Sequence, residues 1–150
     1  MKVHIQGKAE NITNKEIRDA VFFYLKKLLG NSMSKKITLD IIIDKELLRT
    51  YDMYANISPL EADPRPKHYE MEIDGKLSKR LFLLSLAHEM IHLKQFAKNQ
   101  MKDLESKQMT RWMGEYYDEE NLDYWSRPWE VEAHHMESLL YKSYIEENHK

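Results

Sequence analysis

The chain has 150 residues, of which 42% are hydrophobic and 32% charged, with a net charge of −2 and no cysteine. This length is typical of one domain with a substantial core, so we expect a single domain over residues 1–150. Without cysteine the chain forms no disulfide and has neither a thiolate nucleophile nor a Cys-type zinc ribbon. Any metal must therefore be bound by His, Asp or Glu.

Charge and hydropathy argue against several further classes of protein. There is no run of 18 or more apolar residues, so we expect no membrane span. The start of the chain, residues 1–5, lacks the apolar core of a signal peptide, and we expect a cytoplasmic protein. Residues 1–50 carry ten basic against six acidic residues, and residues 101–150 carry six against twelve. The basic residues are dispersed and form no patch with interleaved aromatics, so nucleic acid is not an expected partner.

Four short stretches are predicted to be strands, mainly from alternation of apolar and polar residues. They are residues 2–6, 37–43, 51–57 and 69–73. A loop with three prolines precedes the fourth stretch, and the Asp74-Gly75 turn follows it. We expect this fourth strand to be either an ordinary sheet edge or the edge along which an extended peptide substrate lies.

Three helices are predicted from capping signals and helical spacing. Thr13 and Glu16 have the spacing of a capping box before a helix that Gly30 should end. Ser78 is a candidate N-cap for the helix of the apolar run 81–96, and Ser126 for a last helix that begins near Pro128. Together these elements predict an α+β fold. Its small, mostly antiparallel or mixed sheet should pack on the central helix, with N-terminal and C-terminal helices beside it.

Residues 99–127 are polar and aromatic, and they predict a short hairpin or a flap over the site. The motifs on which this interpretation rests are the run 111–114 and the pair 116–117. We expect Tyr124, Trp125 and Trp129 to pack the last helix against the central one rather than to stack on a substrate.

The central helix carries the sequence His88-Glu89-Met90-Ile91-His92. Residues four apart lie on one side of a helix, so His88 and His92 can bind one ion. Glu89 then lies beside that ion without being a ligand. This is the spacing of zinc peptidases, in which two histidines bind zinc and the glutamate is the general base. Since the helix is apolar on nearly every face, a metal is the most economical partner for two buried imidazoles.

A third protein ligand is expected, because catalytic zinc has three and keeps one position open. The last helix, which follows Pro128, supplies the candidates. Glu130 is the first choice, with His134 as a group that orients a ligand. Glu132 and His134, in that order, are the alternative ligands, and small Ala133 would allow close approach of the two helices.

The two motifs, His88–His92 and Glu130-Val131-Glu132-Ala133, resemble the gluzincin pattern and especially the minigluzincins. Similar proteins include ImmA/IrrE-type and HtpX-type peptidases, and the stretch before His88 resembles small SprT-like peptidases of phages and bacteria. The resemblance covers about residues 67–140 and implies a zincin-like fold, with Glu130 as the third zinc ligand. His134 stands where these relatives have Asp or Asn.

The predicted activity is hydrolysis of peptide bonds in a protein or peptide substrate. Zinc would lower the pKa of its bound water, and Glu89 would take the proton and return it to the leaving amine. An oxyanion donor is also expected, and the sequence leaves five candidates open. They are Tyr116, Tyr117, Tyr124, His135 and Tyr141.

Two other functions remain open. One is a peptidase-like regulator or adaptor, in which the metal organises a partner-binding cleft. The other is a zinc amidase that acts on a cell-wall cross-link.

Overall fold

The computed structural model describes residues 1–104 and 107–148 of the chain. Residues 105–106, inside the predicted 99–127 segment, and residues 149–150 lie outside the described part. The helices are α1 (Asn14–Ser34), α2 (Leu47–Tyr51), α3 (Lys79–Ala97) and α4 (Pro128–Asn148). The strands are β1 (Lys2–Gln6), β2 (Thr38–Asp44), β3 (Ala55–Pro59), β4 (His68–Asp74), β5 (Met101–Leu104), β6 (Met109–Trp112) and β7 (Glu115–Asp118).

The larger sheet is mixed and has the strand order β1-β2-β4-β3. β1, β2 and β4 are parallel, and β3 is antiparallel to β4. The predicted α+β class with a mixed sheet is therefore confirmed. The expectation that β4 is a sheet edge was wrong, since β4 pairs with β2 on one side and with β3 on the other, and β3 forms the edge on that side. Apolar alternation in β4 indicates burial of one face, but it does not show how many neighbours a strand has.

The core lies between this sheet and α1 and α3, and α4 packs against α3. Fourteen of the nineteen residues of α3 are buried, so this helix runs through the centre of the molecule as predicted. Ser78 accepts a hydrogen bond from the backbone N–H of Leu81 and caps α3, also as predicted. None of the helices in residues 1–104 and 107–148 combines the length and apolar character that a membrane crossing needs.

The predicted capping box at the start of α1 is present. The Thr13 side chain accepts from the Glu16 backbone N–H, and the Glu16 carboxylate accepts from the Thr13 backbone N–H. Gly30 interrupts the helix, with φ 81° and ψ 171°, but helical turns resume and run to Ser34. The prediction that the helix ends at Gly30 was therefore wrong, because Gly30 is a kink inside α1.

The predicted strand at residues 51–57 was wrong in its first half. Residues 47–51 form α2, and Asp52 ends this helix in the left-handed region with φ 54°. The carboxylate of Asp74 accepts the backbone N–H of Leu48, which is one of the N–H groups that a helix start leaves without an intrahelical partner. Because that acceptor comes from a residue 26 positions away, local sequence patterns could not indicate it.

β5, β6 and β7 form a second, three-stranded antiparallel sheet in the order β5-β6-β7. Met113 and Gly114, with φ of 51° and 85°, make the two-residue turn between β6 and β7. Two consecutive positive φ angles characterise the type I′ turn, whose twist matches that of the strands. The predicted hairpin is thus confirmed in this segment.

The aromatic residues around the start of α4 divide into a buried and an exposed group. Trp129 is buried, with ring centroids 6.5 Å from Trp112 and 5.8 Å from Tyr117. Tyr124 and Trp125 are exposed in a 3₁₀ turn, where their rings contact His134 of α4, so the prediction that they pack α4 against α3 was wrong.

α4 begins at Pro128, as predicted from the fixed φ of proline. The proposed cap Ser126 was wrong, because this residue lies inside the preceding 3₁₀ turn. The Arg127 carbonyl instead accepts the backbone N–H groups of Glu130 and Val131.

Candidate metal site and cleft

The two histidines of α3 lie one turn apart on the same side of the helix. Their Nε2 atoms are 3.1 Å apart, and the ring centroids of His88 and His92 are 4.7 Å apart. Both rings are largely buried. The i, i+4 spacing therefore brings the two nitrogens to one point, as expected from helical geometry.

α4 supplies a carboxylate oxygen at the same point. Oε1 of Glu130 lies 3.0 Å from His88 Nε2 and 3.1 Å from His92 Nε2. Ala133, one turn further along α4, is fully buried, and its small side chain permits the close helix packing that was expected. The structure thus brings Glu130 to the two histidines.

The tautomer of His92 follows from its hydrogen bonds. Its Nδ1 lies 2.7 Å from Oε1 of Gln95. The amide nitrogen of Gln95 donates to the Trp129 carbonyl and to Glu132, each at 3.0 Å, so the orientation of this amide is determined by its partners. Since an amide oxygen only accepts, His92 Nδ1 must donate to it. When His92 is neutral, its Nε2 therefore presents a lone pair towards Glu130 and His88.

Three donor atoms that converge in this way fit a divalent metal ion. An imidazole lone pair and a carboxylate oxygen repel each other unless a proton or a cation lies between them. Tetrahedral zinc with bonds of 2.0–2.1 Å separates its ligands by about 3.3 Å, close to the observed 3.0–3.1 Å. Two imidazoles with one carboxylate are a donor set that zinc accepts in catalytic sites.

Glu132, the first alternative ligand, does not point to the histidines. Its Oε1 accepts from Lys94 Nζ at 2.6 Å and from Gln95 at 3.0 Å. Glu132 therefore holds Gln95, and Gln95 in turn holds His92. The sequence interpretation missed Gln95 and Lys94. Two polar residues in an otherwise apolar helix, directly after the second histidine, were a signal that could have revealed them.

His134, the other alternative, contacts two residues beside the site. Its Nδ1 lies 2.9 Å from Glu137 Oε1, and its Nε2 lies 3.1 Å from the Tyr124 hydroxyl. Oε2 of Glu137 is 3.7 Å from His88 Nδ1. His88, His134 and Glu137 thus form a second group of potential metal donors. Glu137 was also missed, although it lies seven residues after Glu130 and hence on the same side of α4.

Glu89, the predicted general base, is buried next to His88. Its side chain lines the cleft, and among the described residues none donates a hydrogen bond to its carboxylate. Burial raises the pKa of Glu89, and the opposing effect of the His92 and His88 rings is smaller. A carboxylate in this environment takes up a proton more readily than an exposed one.

These residues lie in a cleft of about 840 Å³ that also borders β3 and the second sheet. Besides the site residues, the lining includes Tyr54, Asn56, Phe96, Met101, Thr110 and Trp129. The volume is in the range of clefts that bind small molecules and short peptide segments.

The outer edge of β3 presents backbone groups to a potential extended ligand. The Tyr54 carbonyl accepts the backbone N–H of Asp74 in β4, and the Leu60 N–H donates to the His68 carbonyl in β4. The even-numbered residues of the β3 segment therefore form the hydrogen bonds with β4. In an antiparallel pair the alternate residues then direct their N–H and C=O groups away from the partner. These residues are Ala55, Ile57 and Pro59, and proline at such an edge position loses no ladder bond. Ala55 and Ile57 both line the cleft.

Of the five candidate oxyanion donors, Tyr124 lines the cleft and the other four do not. The Tyr124 hydroxyl donates to Glu130 Oε1 at 3.1 Å. Tyr116 and His135 are exposed away from the cleft, and Tyr117 packs against Trp129. Tyr141 packs against the hydrophobic core. Tyr124 is therefore the candidate that lies in the cleft beside Glu130.

Zinc affinity should increase with pH well above neutrality. Burial lowers the pKa of His88, but contacts with Glu130 and Glu137 and the charge of Glu89 outweigh burial and raise it to about 10. Before an ion binds, His88 therefore keeps a proton above the pH at which a free histidine loses it, and a zinc ion would have to displace that proton. We expect the apparent affinity to rise about tenfold per pH unit from about pH 7 to about pH 8.5, measured by competition with a chromophoric chelator. Two unperturbed histidines would change the affinity by less than about twofold in this range, because their pKa is about 6.5.

Comparison of the chain with protein-family models, with curated proteins and with solved structures gave no match. The resemblance to gluzincins therefore remains an interpretation of the two motifs.

Proposed function

We propose that this chain is a zinc-dependent peptidase of zincin-like architecture that hydrolyses peptide bonds in an extended polypeptide. The observation that supports it most is the convergence of His88, His92 and Glu130 on one point, beside the buried carboxylate of Glu89. The His92–Gln95 hydrogen bond adds to this, since it directs the metal-binding lone pair of His92 inward.

His88, His92 and Glu130 would hold the ion. A zinc ion bound there supplies Lewis acidity, which polarises a carbonyl oxygen and lowers the pKa of a water molecule. These three residues lie on two packed helices, so their donor atoms need little rearrangement on binding.

Glu89 would move the proton. Glu89 directly follows His88 in α3, and its side chain lines the cleft. Burial raises the pKa of its carboxyl group. It takes a proton from the attacking water and passes it to the nitrogen of the leaving amine. The absence of a donor to its carboxylate among the described residues leaves it available for that water.

β3 and Tyr124 would position the substrate. An extended peptide that pairs with the outer edge of β3 forms backbone hydrogen bonds with Ala55 and Ile57, independent of its side chains. The Tyr124 hydroxyl lies next to Glu130 and can donate to the carbonyl oxygen as negative charge develops on it.

The test of this proposal is Glu89→Gln, which keeps the size of the side chain and removes the general base. We expect turnover of an unfolded protein substrate to fall by about 10²–10⁴-fold, the usual contribution of a general base. Zinc content should remain stoichiometric by elemental analysis, because Glu89 is not one of the three donors. Cleavage is followed by mass spectrometry of the products.

Glu146→Gln, an exposed substitution on α4, is the matched control and should leave turnover unchanged. Turnover by Glu89→Gln at the wild-type rate would refute the assignment of Glu89. A zinc-loaded wild type that cleaves no polypeptide would favour the adaptor, or, if it cleaved peptidoglycan fragments, the amidase.

A further inference from the structure

A chain of contacts surrounds the three donor atoms on the side of α4. The Tyr124 hydroxyl contacts Glu130 Oε1 and His134 Nε2, each at 3.1 Å. His134 Nδ1 contacts Glu137 Oε1 at 2.9 Å, and Glu137 Oε2 lies 3.7 Å from His88 Nδ1. The contacts therefore lead from Glu130 through three side chains back to His88.

The ring of His134 packs against two other aromatic rings. The ring centroid of Trp125 lies 4.8 Å away with an interplanar angle of 37°, and that of His88 lies 4.6 Å away. Both ring nitrogens are used by Glu137 and Tyr124. A side chain that has two ring contacts and a partner at each nitrogen has little rotational freedom, and it restricts the turn that carries Tyr124 and Trp125.

His88, His134 and Glu137 are also a possible set of metal donors, but a second ion is the weaker interpretation. His88 Nε2 already points to Glu130 and His92, so a second ion would have to bind Nδ1 of the same ring. An imidazole that binds two ions must lose both of its protons. A carboxylate on the Nδ1 side instead favours a proton on Nδ1, which leaves the lone pair on Nε2.

We infer that Glu137 and His134 are positioning residues of the site. Glu137 orients the ring of His88 for metal binding, and the same carboxylate orients His134, which fixes the hydroxyl of Tyr124 at the cleft. This inference rests on the proposed function, since it assigns positioning roles to residues around the proposed zinc ligands.

The first test measures zinc affinity in Glu137→Gln by competition with a chelator. Glutamine keeps the shape of the side chain but loses the charge that holds the Nδ1 proton of His88. We expect affinity to fall about 10–100-fold, the usual effect of removing a group that orients a ligand. Glu146→Gln on the same helix is the matched control and should bind zinc as the wild type does.

The second test uses His134→Phe, which keeps a ring that can contact Trp125 and His88 and removes both nitrogens. Its hydrogen exchange is measured by mass spectrometry in the metal-free protein. We expect faster exchange in residues 119–127, because the contact with Tyr124 is lost. In the zinc-loaded protein, His134→Phe and Tyr124→Phe should each lower kcat more than they raise KM, and the double variant should be no slower than either one. Tyr116→Phe, outside the cleft, is the control.

The outcomes separate the inference from the proposed function. Wild-type zinc affinity in Glu137→Gln, or unchanged exchange in His134→Phe, would overturn the corresponding half of the inference while the zinc site stands. A wild type that binds no zinc would refute the proposed function, and the exchange measurement would still decide whether His134 holds the turn. Additive losses in the double variant would show that His134 does not act through Tyr124.

Discussion

Replacement of Glu130 by alanine is expected to abolish stoichiometric zinc binding. Glu130 Oε1 contacts both histidine nitrogens, and the remaining two imidazoles would bind an ion with one ligand fewer. Structural zinc sites with four ligands bind with about 10–16 kcal/mol, so one ligand corresponds to about 3 kcal/mol, or a loss of at least about 100-fold in affinity. Elemental analysis after dialysis, for wild type and variant, measures the loss directly.

Melting curves provide an independent check of the same prediction. Zinc that binds the native state raises the melting temperature by mass action, so a chelator should lower it in the wild type. Glu130→Ala should melt at one temperature with and without chelator. Glu146→Ala, an exposed substitution on the same helix, should respond as the wild type does.

Two further variants test the choice of ligand. Glu132→Ala and His134→Ala should both retain zinc, because neither side chain contacts the histidine Nε2 atoms. Loss of zinc in Glu132→Ala with full zinc in Glu130→Ala would show that the ligands have been assigned wrongly. A wild type without zinc, even after reconstitution, would reduce the motif to a pair of core histidines.

Local patterns in the sequence were sufficient for the two histidines and for the helix that carries them. Residues four apart in a helix lie one turn apart on the same side, so the proximity of the two histidines depends on this helix alone. The apolar run of α3 likewise indicated burial without reference to any other element. The cap at Ser78 and the capping box at Thr13 are likewise contacts over three residues. Such features depend on short segments and are the ones that a sequence predicts well.

Features that depend on distant residues were missed or wrong. The Asp74 carboxylate accepts a backbone N–H at the start of α2. β4 is an interior strand because β3 pairs with its second side. Neither contact has a local signal. The position of Glu130 beside the two histidines follows from helical periodicity, because one side of α4 could be predicted. The contacts of Gln95 and Glu137 depend on how closely α3 and α4 pack, which helical periodicity does not show.

Replacement of Glu132 by alanine should destabilise the protein most strongly among the variants outside the metal ligands. Its carboxylate accepts from Lys94 Nζ at 2.6 Å, and the Lys94 side chain is only 11% exposed. Alanine would leave this ammonium buried without its partner and would release the Gln95 amide. A fully buried pair broken in this way costs about 3–5 kcal/mol. Because the Glu132 side chain is 26% exposed, we expect the lower end, about 3 kcal/mol.

The free energy of unfolding is measured in urea with chelator present, so that metal binding does not contribute. The double variant Lys94→Met/Glu132→Leu removes both charges and keeps apolar volume, and it should recover most of the loss, since well-packed apolar residues often replace a buried ion pair without destabilisation. Glu146→Ala should change stability by less than about 0.5 kcal/mol. If the double variant is as unstable as Glu132→Ala, the loss comes from packing rather than from the unpaired lysine. If Glu132→Ala is as stable as the wild type, then Lys94 reaches water or another acceptor. The interpretation that Glu132 holds Gln95 in place would then be wrong.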